Sequence, residues 1–387
     1  MRADKNLSRG DLWILEGVNC PGPASVEHVL ALLEEKGLAG FLEARPHYGR
    51  MTLYQAVLKR CRALRYEDPQ QMIHFAALAV QMASRFSVER YGQQRIADYQ
   101  FQALIELANS YRVADCLDQA GDALGEAASY FSKGSQDDLL KARQFDVQAS
   151  LFAARRNFAA AASALDTVHA IHKRKGHGHL AGRALISKGI YLGYAGQPEE
   201  ALRLLREGIS QVNRDQDPAL AMAGVQCQAH FLMVLGRYRE ARKLIWSHHF
   251  TPEVIGGRIN QLKFRWLQAQ IQLGLGDIER AEAGLIEARE GFLEARLHYK
   301  AALASLELAQ LWIRKGKRRE VQEMVGALVQ VFQAYQIHRE AFAGLMLLEA
   351  AFAEDIKDVG AILDAVTDFV KRAETDPRVI FQDWFSI

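Results

Sequence analysis

Apolar runs and polar breaks follow one another along this chain at a regular interval. The stretch from Gly193 to Gly208, GYAGQPEEALRLLREG, shows one interval in full. Before it, Leu185, Gly189 and Leu192 share one face at helical spacing. Gly196 can take the left-handed conformation that ends a helix. Pro198 has its φ preset for a first turn, and Glu199 and Glu200 meet the positive end of the next helix dipole. Ala201, Leu205 and Gly208 then build a second stripe of small and apolar residues. The pattern predicts two helices joined by a tight turn.

The same pattern recurs. Gly236 stands five residues before Ala241, Gly276 five before Ala281, and Gly316 five before Val321. Upstream, Ala161 is followed by Leu165, and Ala120 by Leu124 and Ala127. The anchors 120, 161, 201, 241, 281 and 321 are 40 or 41 residues apart. Six occurrences in register define an internal repeat of helix pairs. Small residues sit where paired backbones must approach: Ala108, Ala149, Gly189, Ala229, Ala269 and Ala309, each twelve before an anchor. Tyr111, Phe152, Leu192, Leu232 and Trp312 fill the space between pairs. One pair cannot bury its apolar face alone, so the pairs must stack.

This spacing of small, large, glycine and alanine positions resembles the tetratricopeptide repeat (TPR) family. The match is closest over Gly182–Gln211 and Met222–Ile245, and it covers residues 101 to 350. The interval departs from the family's usual 34 residues, and the early signature tryptophan is missing. The resemblance implies an all-α fold, a TPR-like right-handed α-solenoid of helix hairpins with a period of about 40 residues. It also implies a likeness to bacterial TPR-like regulators that sense peptides.

The expected organisation has three parts. Residues 1–48 form an irregular N-terminal segment with a capping helix at Ser25–Glu35. Residues 49–353 form the array, opened by a helix pair at Thr52–Leu64 and Asp68–Phe86, with Asp68 as N-cap and Pro69 at the first helical position. Residues 354–387 form a C-terminal capping helix and an apolar tail. Glu340–Ala353 and Val359–Arg372 read as the last pair. The tail after Asp376-Pro377 carries Val379, Ile380, Phe381, Trp384 and Phe385, a cap for the open end or a docking peptide.

Composition narrows the function. Forty-eight basic against 46 acidic residues leave a net charge of +2, too little for a bulk pull toward nucleic acid or anionic membranes. Direct nucleic-acid contact is not expected, and the basic runs HKRKGH, RKGKRRE and GRYREARK read as solvated turn charge. No apolar run approaches the roughly 20 residues of a membrane helix. Four scattered cysteines, Cys20, Cys61, Cys116 and Cys227, fit a reducing compartment, so the expected location is cytoplasmic.

No catalytic motif is found: no G-x-S-x-G, no H-E-x-x-H, and no glycine-rich phosphate loop between a strand and a helix. His169, His172, His177 and His179 are the most tempting cluster. His177 and His179 fall past Gly176 in an inter-repeat turn, and no carboxylate or cysteine joins them at ligand spacing, so the reading is a solvated loop cluster. His248-His249 reads as helix capping. No metal and no cofactor are expected.

The resemblance places a partner-binding groove on the first helix of each repeat, at positions 2, 5, 9, 12 and 13. Position 9 falls on Asn109, Ser150, Ile190, His230, Gln270 and Gln310. The same count adds Arg112, Arg143, Asp146, Arg183, Tyr194, Gln226, Lys263, Trp266 and Arg314. Side-chain amides match the unpaired N–H and C=O of an extended peptide. The basic residues suit an acidic or carboxylate-bearing one. The lysine and asparagine clamp of some TPR domains is matched only at Asn109. The expected function is a protein- or peptide-binding scaffold or regulatory adaptor without catalysis. The alternatives are a peptide-responsive regulator that switches a separate effector, or an enzyme with an unrecognised site.

Overall fold

The computed structural model describes residues 50–66, 68–248, 255–335, 345–346, 348–350, 352 and 359–375. Ser25–Glu35, residues 1–23, His249, most of Glu340–Ala353 and the tail beyond residue 375 lie outside the described residues. Among the described residues there are helices and turns and no strand.

An opening pair, α1 (Arg50–Ala63) and α2 (Pro69–Ser84), is joined through a 3-10 turn at Leu64–Tyr66. Asp68 caps α2 by accepting from the backbone N–H of Gln70 and Gln71, each at 3.0 Å. A short helix not read from the sequence, α3 (Val88–Tyr91), follows. Six hairpins come next: α4/α5 (Gln93–Val113, Leu117–Phe131), α6/α7 (Asp138–Ala154, Phe158–Arg174), α8/α9 (Gly178–Tyr194, Pro198–Gln211), α10/α11 (Pro218–Val234, Tyr238–Ser247), α12/α13 (Arg258–Gly274, Ile278–Glu294) and α14/α15 (His298–Arg314, Arg318–Tyr335). The last described helix is α16 (Val359–Thr375).

The repeat register holds at atomic level. All six anchors, Ala120, Ala161, Ala201, Ala241, Ala281 and Val321, are fully buried, and so are the small crossing residues twelve positions before them. At Gly189 the reason is steric: a Cβ would come within 3.0 Å of Leu205 Cγ and 3.1 Å of the Ala201 carbonyl.

The turns repeat as closely. Five residues before each anchor the backbone turns left-handed: Asp115, Arg156, Gly196, Gly236, Gly276 and Gly316 all have φ between 60° and 85°. The next N–H then reaches back to the carbonyl at the large-residue position, from Cys116 to Tyr111, Asn157 to Phe152, Gln197 to Leu192, Arg237 to Leu232, Asp277 to Gln272 and Lys317 to Trp312, at 2.8 to 3.0 Å. This is the six-to-one bond of a Schellman stop. Left-handed residues recur between hairpins too, at Gln136, Gly176, Gly256 and Arg296. Asn157, Asp217 and Asp277 cap the helices that follow them, each cap worth about 1 kcal/mol.

The chain divides into two compact units, Met1–Ala184 and Leu185–Ile387, with the division inside α8. In the first unit the first helices α4 and α6 lie in contact, with α5 and α7 packed against them. In the second unit α10 and α12 lie in contact in the same way. The first helices thus lie side by side along one face of each unit.

Candidate binding face on the first helices

In the first unit this face is organised by a residue the sequence reading passed over. Glu106 on α4 has a fully buried side chain. Arg143 on α6 donates to it twice, Nε to Oε1 at 3.2 Å and Nη2 to Oε2 at 3.0 Å. Arg62 on α1 adds a bond from Nε to Oε1 at 3.0 Å. Burial alone would push this carboxyl up, but the two guanidiniums override it and hold Glu106 below the usual carboxylate range. Burial likewise opposes the charge on Arg143, and Glu106 then Asp146 more than restore it.

Arg143 also donates from Nη1 to Asp146 Oδ2 at 3.0 Å. Arg183 on α8 approaches the same oxygen at 3.8 Å. Asn109 is buried and accepts two bonds from Arg112 through Oδ1, at 3.2 and 2.9 Å. Three expected groove residues of this unit, Arg143, Asp146 and Arg183, are therefore brought to one place, while Asn109 and Arg112 engage one another along α4.

The second unit has a counterpart. Glu307 on α14 stands at the same repeat position as Glu106, fourteen residues before its anchor, and is buried. Trp266 donates to it from Nε1 at 2.7 Å, Gln270 from Nε2 at 2.9 Å, and Lys371 on α16 lies at 3.0 Å. Gln310 donates to Asp364 at 2.6 Å. Three more expected groove residues are thus fastened between helices. A sequence signal for both glutamates did exist. At this repeat position the other first helices carry Val147, Ser187, Cys227 and Leu267, so an acid there must have a partner.

Other expected residues of the second unit stand open. Tyr194 is 45% exposed on α8, and one repeat further along α10 Val234, which the sequence did not single out, is 60% exposed. His230 is exposed, and its ring centroid is 6.4 Å from that of Tyr194. Phe231 stiffens the platform edge-on to Tyr194 at 5.9 Å, and its ring occupies the space a Cβ would need at Gly193. Lys263 and Arg314 are exposed. Gln226 is half-buried, and its Nε2 is sealed from solvent with no hydrogen-bond partner.

The histidine cluster differs in part from the expectation of a solvated loop: His177 lies in the turn as expected, and the rest of the cluster is on helices. His179 lies in the first turn of α8, because that helix begins at Gly178. The rings of His172 and His177 lie 5.8 Å apart at a tilt of 37°, and the Nδ1 of each is sealed from solvent without a partner. The ring of His169 sits 3.2 Å from the Ala181 carbonyl through Nδ1. All four histidines are half-buried at the α7–α8 junction. Among the described residues no three acidic, cysteine or histidine side chains converge as a metal site. His248 holds the Leu244 carbonyl at 2.9 Å through Nδ1, the capping role its position at a helix end suggests.

Cys61 and Cys227 are packing residues. Cys61 is buried beside Ser110 at 3.5 Å, and burial pushes it up to about 11. Burial does the same to Cys227. Neither is poised as a thiolate. The basic turns carry their own counter-charges: Arg174 on Asp138, Arg237 on Glu240, and Lys315 and Lys317 on Glu282. No helix among the described residues is long and apolar enough to cross a membrane.

No protein-family model and no curated protein sequence matches the chain. Solved structures do resemble it. A Rap protein in complex with competence and sporulation factor superposes with a TM-score of 0.58, at 12% identity, over 83% of this chain and 87% of that one. BtubC from P. vanneervenii superposes with a TM-score of 0.49, at 13% identity, over 59% of this chain and 92% of that one. The likeness to the Rap protein is one of fold. The architecture is a TPR-like repeat of helix hairpins.

Proposed function

We propose that this protein is a peptide- or protein-binding regulatory scaffold of the cytoplasm, which holds its partner on the first-helix face and performs no chemistry itself. The observation that carries the reading is the exposed platform of Tyr194, His230 and Val234. These side chains stand on helices whose other faces are spent on packing, and each keeps a large part of its surface open to solvent. An aromatic ring with a polar tip is a low-entropy contact for a partner's backbone and side chains alike. Support also comes from the Rap protein of similar fold, which was crystallised with a bound factor.

The test is affinity capture from native lysate, followed by titration of the purified partner. Tyr194→Ser combined with His230→Ala should weaken that partner at least about tenfold, the loss of one good contact, with the helical circular dichroism unchanged. Equal affinity in the variant would move the partner to another surface.

A further inference from the structure

We propose that the outer face of α11 is a second docking surface, and that it receives an acidic protein segment whose carboxylates flank an apolar side chain. The surface lies on the second helix of its hairpin, and it does not depend on the reading given for the first-helix face.

The run GRYREARK, read from the sequence as solvated turn charge, falls mostly on this helix. Its first cation is spent. Arg237 holds both oxygens of Glu240, from Nε at 2.6 Å and Nη2 at 2.7 Å, and reaches Glu199 of α9 from Nη1 at 3.3 Å. Arg239, Arg242 and Lys243 pair with no carboxylate among the described residues. All three are exposed, and spacings of three and four place them on one outward stripe with Trp246. The inward side of the helix is closed, with Ala241 and Ile245 buried. Glu240 is held below the usual carboxylate range first by Arg237 and also by Arg206 of α9, so the exposed Arg206 stands within electrostatic reach of the same stripe.

Two features of this stripe are unfavourable in the free protein. Like charges at three and four residues oppose a helix, and Arg239 faces both Arg242 and Lys243. Trp246 is 47% exposed, and its Nε1 donates to no described residue. A partner that relieves both must bring negative charge and apolar surface together. Tryptophan and arginine are the side chains that carry most energy at protein interfaces, and a guanidinium takes a carboxylate bidentately. The other anionic surfaces fit less well. A membrane-lying helix needs an apolar face, and Trp246 is the single large apolar side chain exposed on α11. A nucleic-acid strand stacks its bases on successive aromatics, and here there is one ring. The carboxylates of Glu199 and Glu240 also stand at the start of the stripe, against a continuous line of phosphates. A protein segment can space its acids to match the three free cations.

Two fluorescein-labelled peptides, blocked at both ends, test this by anisotropy on the full chain: repeats of Leu-Glu-Glu-Leu, and the same repeats with glutamine for glutamate. The variants are Arg242→Gln/Lys243→Gln, Trp246→Ser and, as a control for the first-helix face, Tyr194→Ser/His230→Ala. Every substituted side chain is exposed, so the fold is expected to persist, and circular dichroism checks it. The acidic peptide should bind wild type and weaken about tenfold in each of the first two variants, the loss of one good contact. It should bind the control as it binds wild type. No binding of the acidic peptide, equal binding in wild type and either of the first two variants, or equal binding of the glutamine peptide overturns the surface. A loss confined to the control also overturns it, and would leave the first-helix face as the place of binding. Oligothymidylate and phosphatidylserine vesicles are titrated in parallel. Binding of either that falls in Arg242→Gln/Lys243→Gln, with the acidic peptide unbound, overturns the proposal and assigns the stripe to nucleic acid or to a membrane.

Discussion

Arg143 grips the buried carboxylate of Glu106 through two nitrogens, at 3.2 and 3.0 Å, and so ties α6 to α4. Arg143→Met should cost about 3 kcal/mol, because it leaves Glu106 sealed from water with only Arg62. Glu106→Gln should cost less, about 1–3 kcal/mol, since a neutral amide needs less compensation. Urea unfolding followed by circular dichroism measures both. Glu106 is held below its ordinary 4.5. Its contribution is therefore complete above that pH and is lost as pH falls through the depressed value. If Arg143→Met costs no more than Glu106→Gln, the pair does not join the hairpins as described.

Gly189 and Ala229 each lie where two backbones meet, and both are buried. Leucine at either position should overpack the crossing and cost about 1–3 kcal/mol. Gly189 is the tighter case, with Leu205 and the Ala201 carbonyl already within 3.1 Å of an added Cβ. Thermal melts that match wild type would dissolve the register of the repeat.

The turn glycines test conformation apart from packing. Gly276 has φ of 81° and nothing within 4 Å of an added Cβ. Gly276→Ala should therefore cost about 1 kcal/mol from backbone strain alone. Asp115 stands at the equivalent place with φ of 62° and bears that strain already. Asp115→Gly should raise the melting temperature or leave it level. A rise in Gly276→Ala would contradict the left-handed turn.

How much of this was legible beforehand depends on the range of the interactions. The anchors, the crossing glycine and the stops at Gly196, Gly236, Gly276 and Gly316 are local signals, and the helices followed them. Asp115, Arg156 and Arg296 were not read as left-handed, because the Schellman geometry imposes that conformation on whichever residue occupies the place. The face was harder to read. Trp266 and Gln270 looked free for a ligand because their acceptor, Glu307, lies about one repeat further along the chain. Arg143 looked free for the same reason, with Glu106 one repeat before it. A repeat pattern assigns a side chain to a face, and only the stacking of neighbours decides whether another repeat has already claimed it.

Glu282 gives an acid-side prediction. It accepts from Lys315, from Lys317 at 2.8 Å and from Trp312 Nε1 at 2.6 Å, which pull it down to about 2. The unfolded value is near 4.5, so its stabilisation is fully present above that pH and drains away between 4.5 and about 2. Melting temperatures of Glu282→Gln and wild type should differ at pH 7 and converge toward pH 2. A constant difference across that range would show that the lysines do not act through the charge.

The α7–α8 junction should respond in the opposite part of the scale. His172 is held below the ordinary histidine value of 6.5, first by burial and then by His177, with Arg183 on α8 and His169 on its own helix adding to the effect. Asp146 on α6 opposes them. The folded junction therefore resists a proton that the unfolded chain accepts. Its stability is intact above pH 6.5 and declines as pH falls below that value, levelling once the depressed pKa is passed. The orphan Nδ1 of each ring sharpens the expectation, because a charged imidazole needs acceptors at both nitrogens and the packed junction gives Nδ1 none. Hydrogen exchange should show α7 and the start of α8 losing protection between pH 7.5 and about pH 5, ahead of the opening pair α1–α2. His172→Gln removes the titrating group and keeps a polar side chain of similar reach, so its protection should stay level over that range. Equal acid loss in wild type and His172→Gln would place the sensitivity in another group.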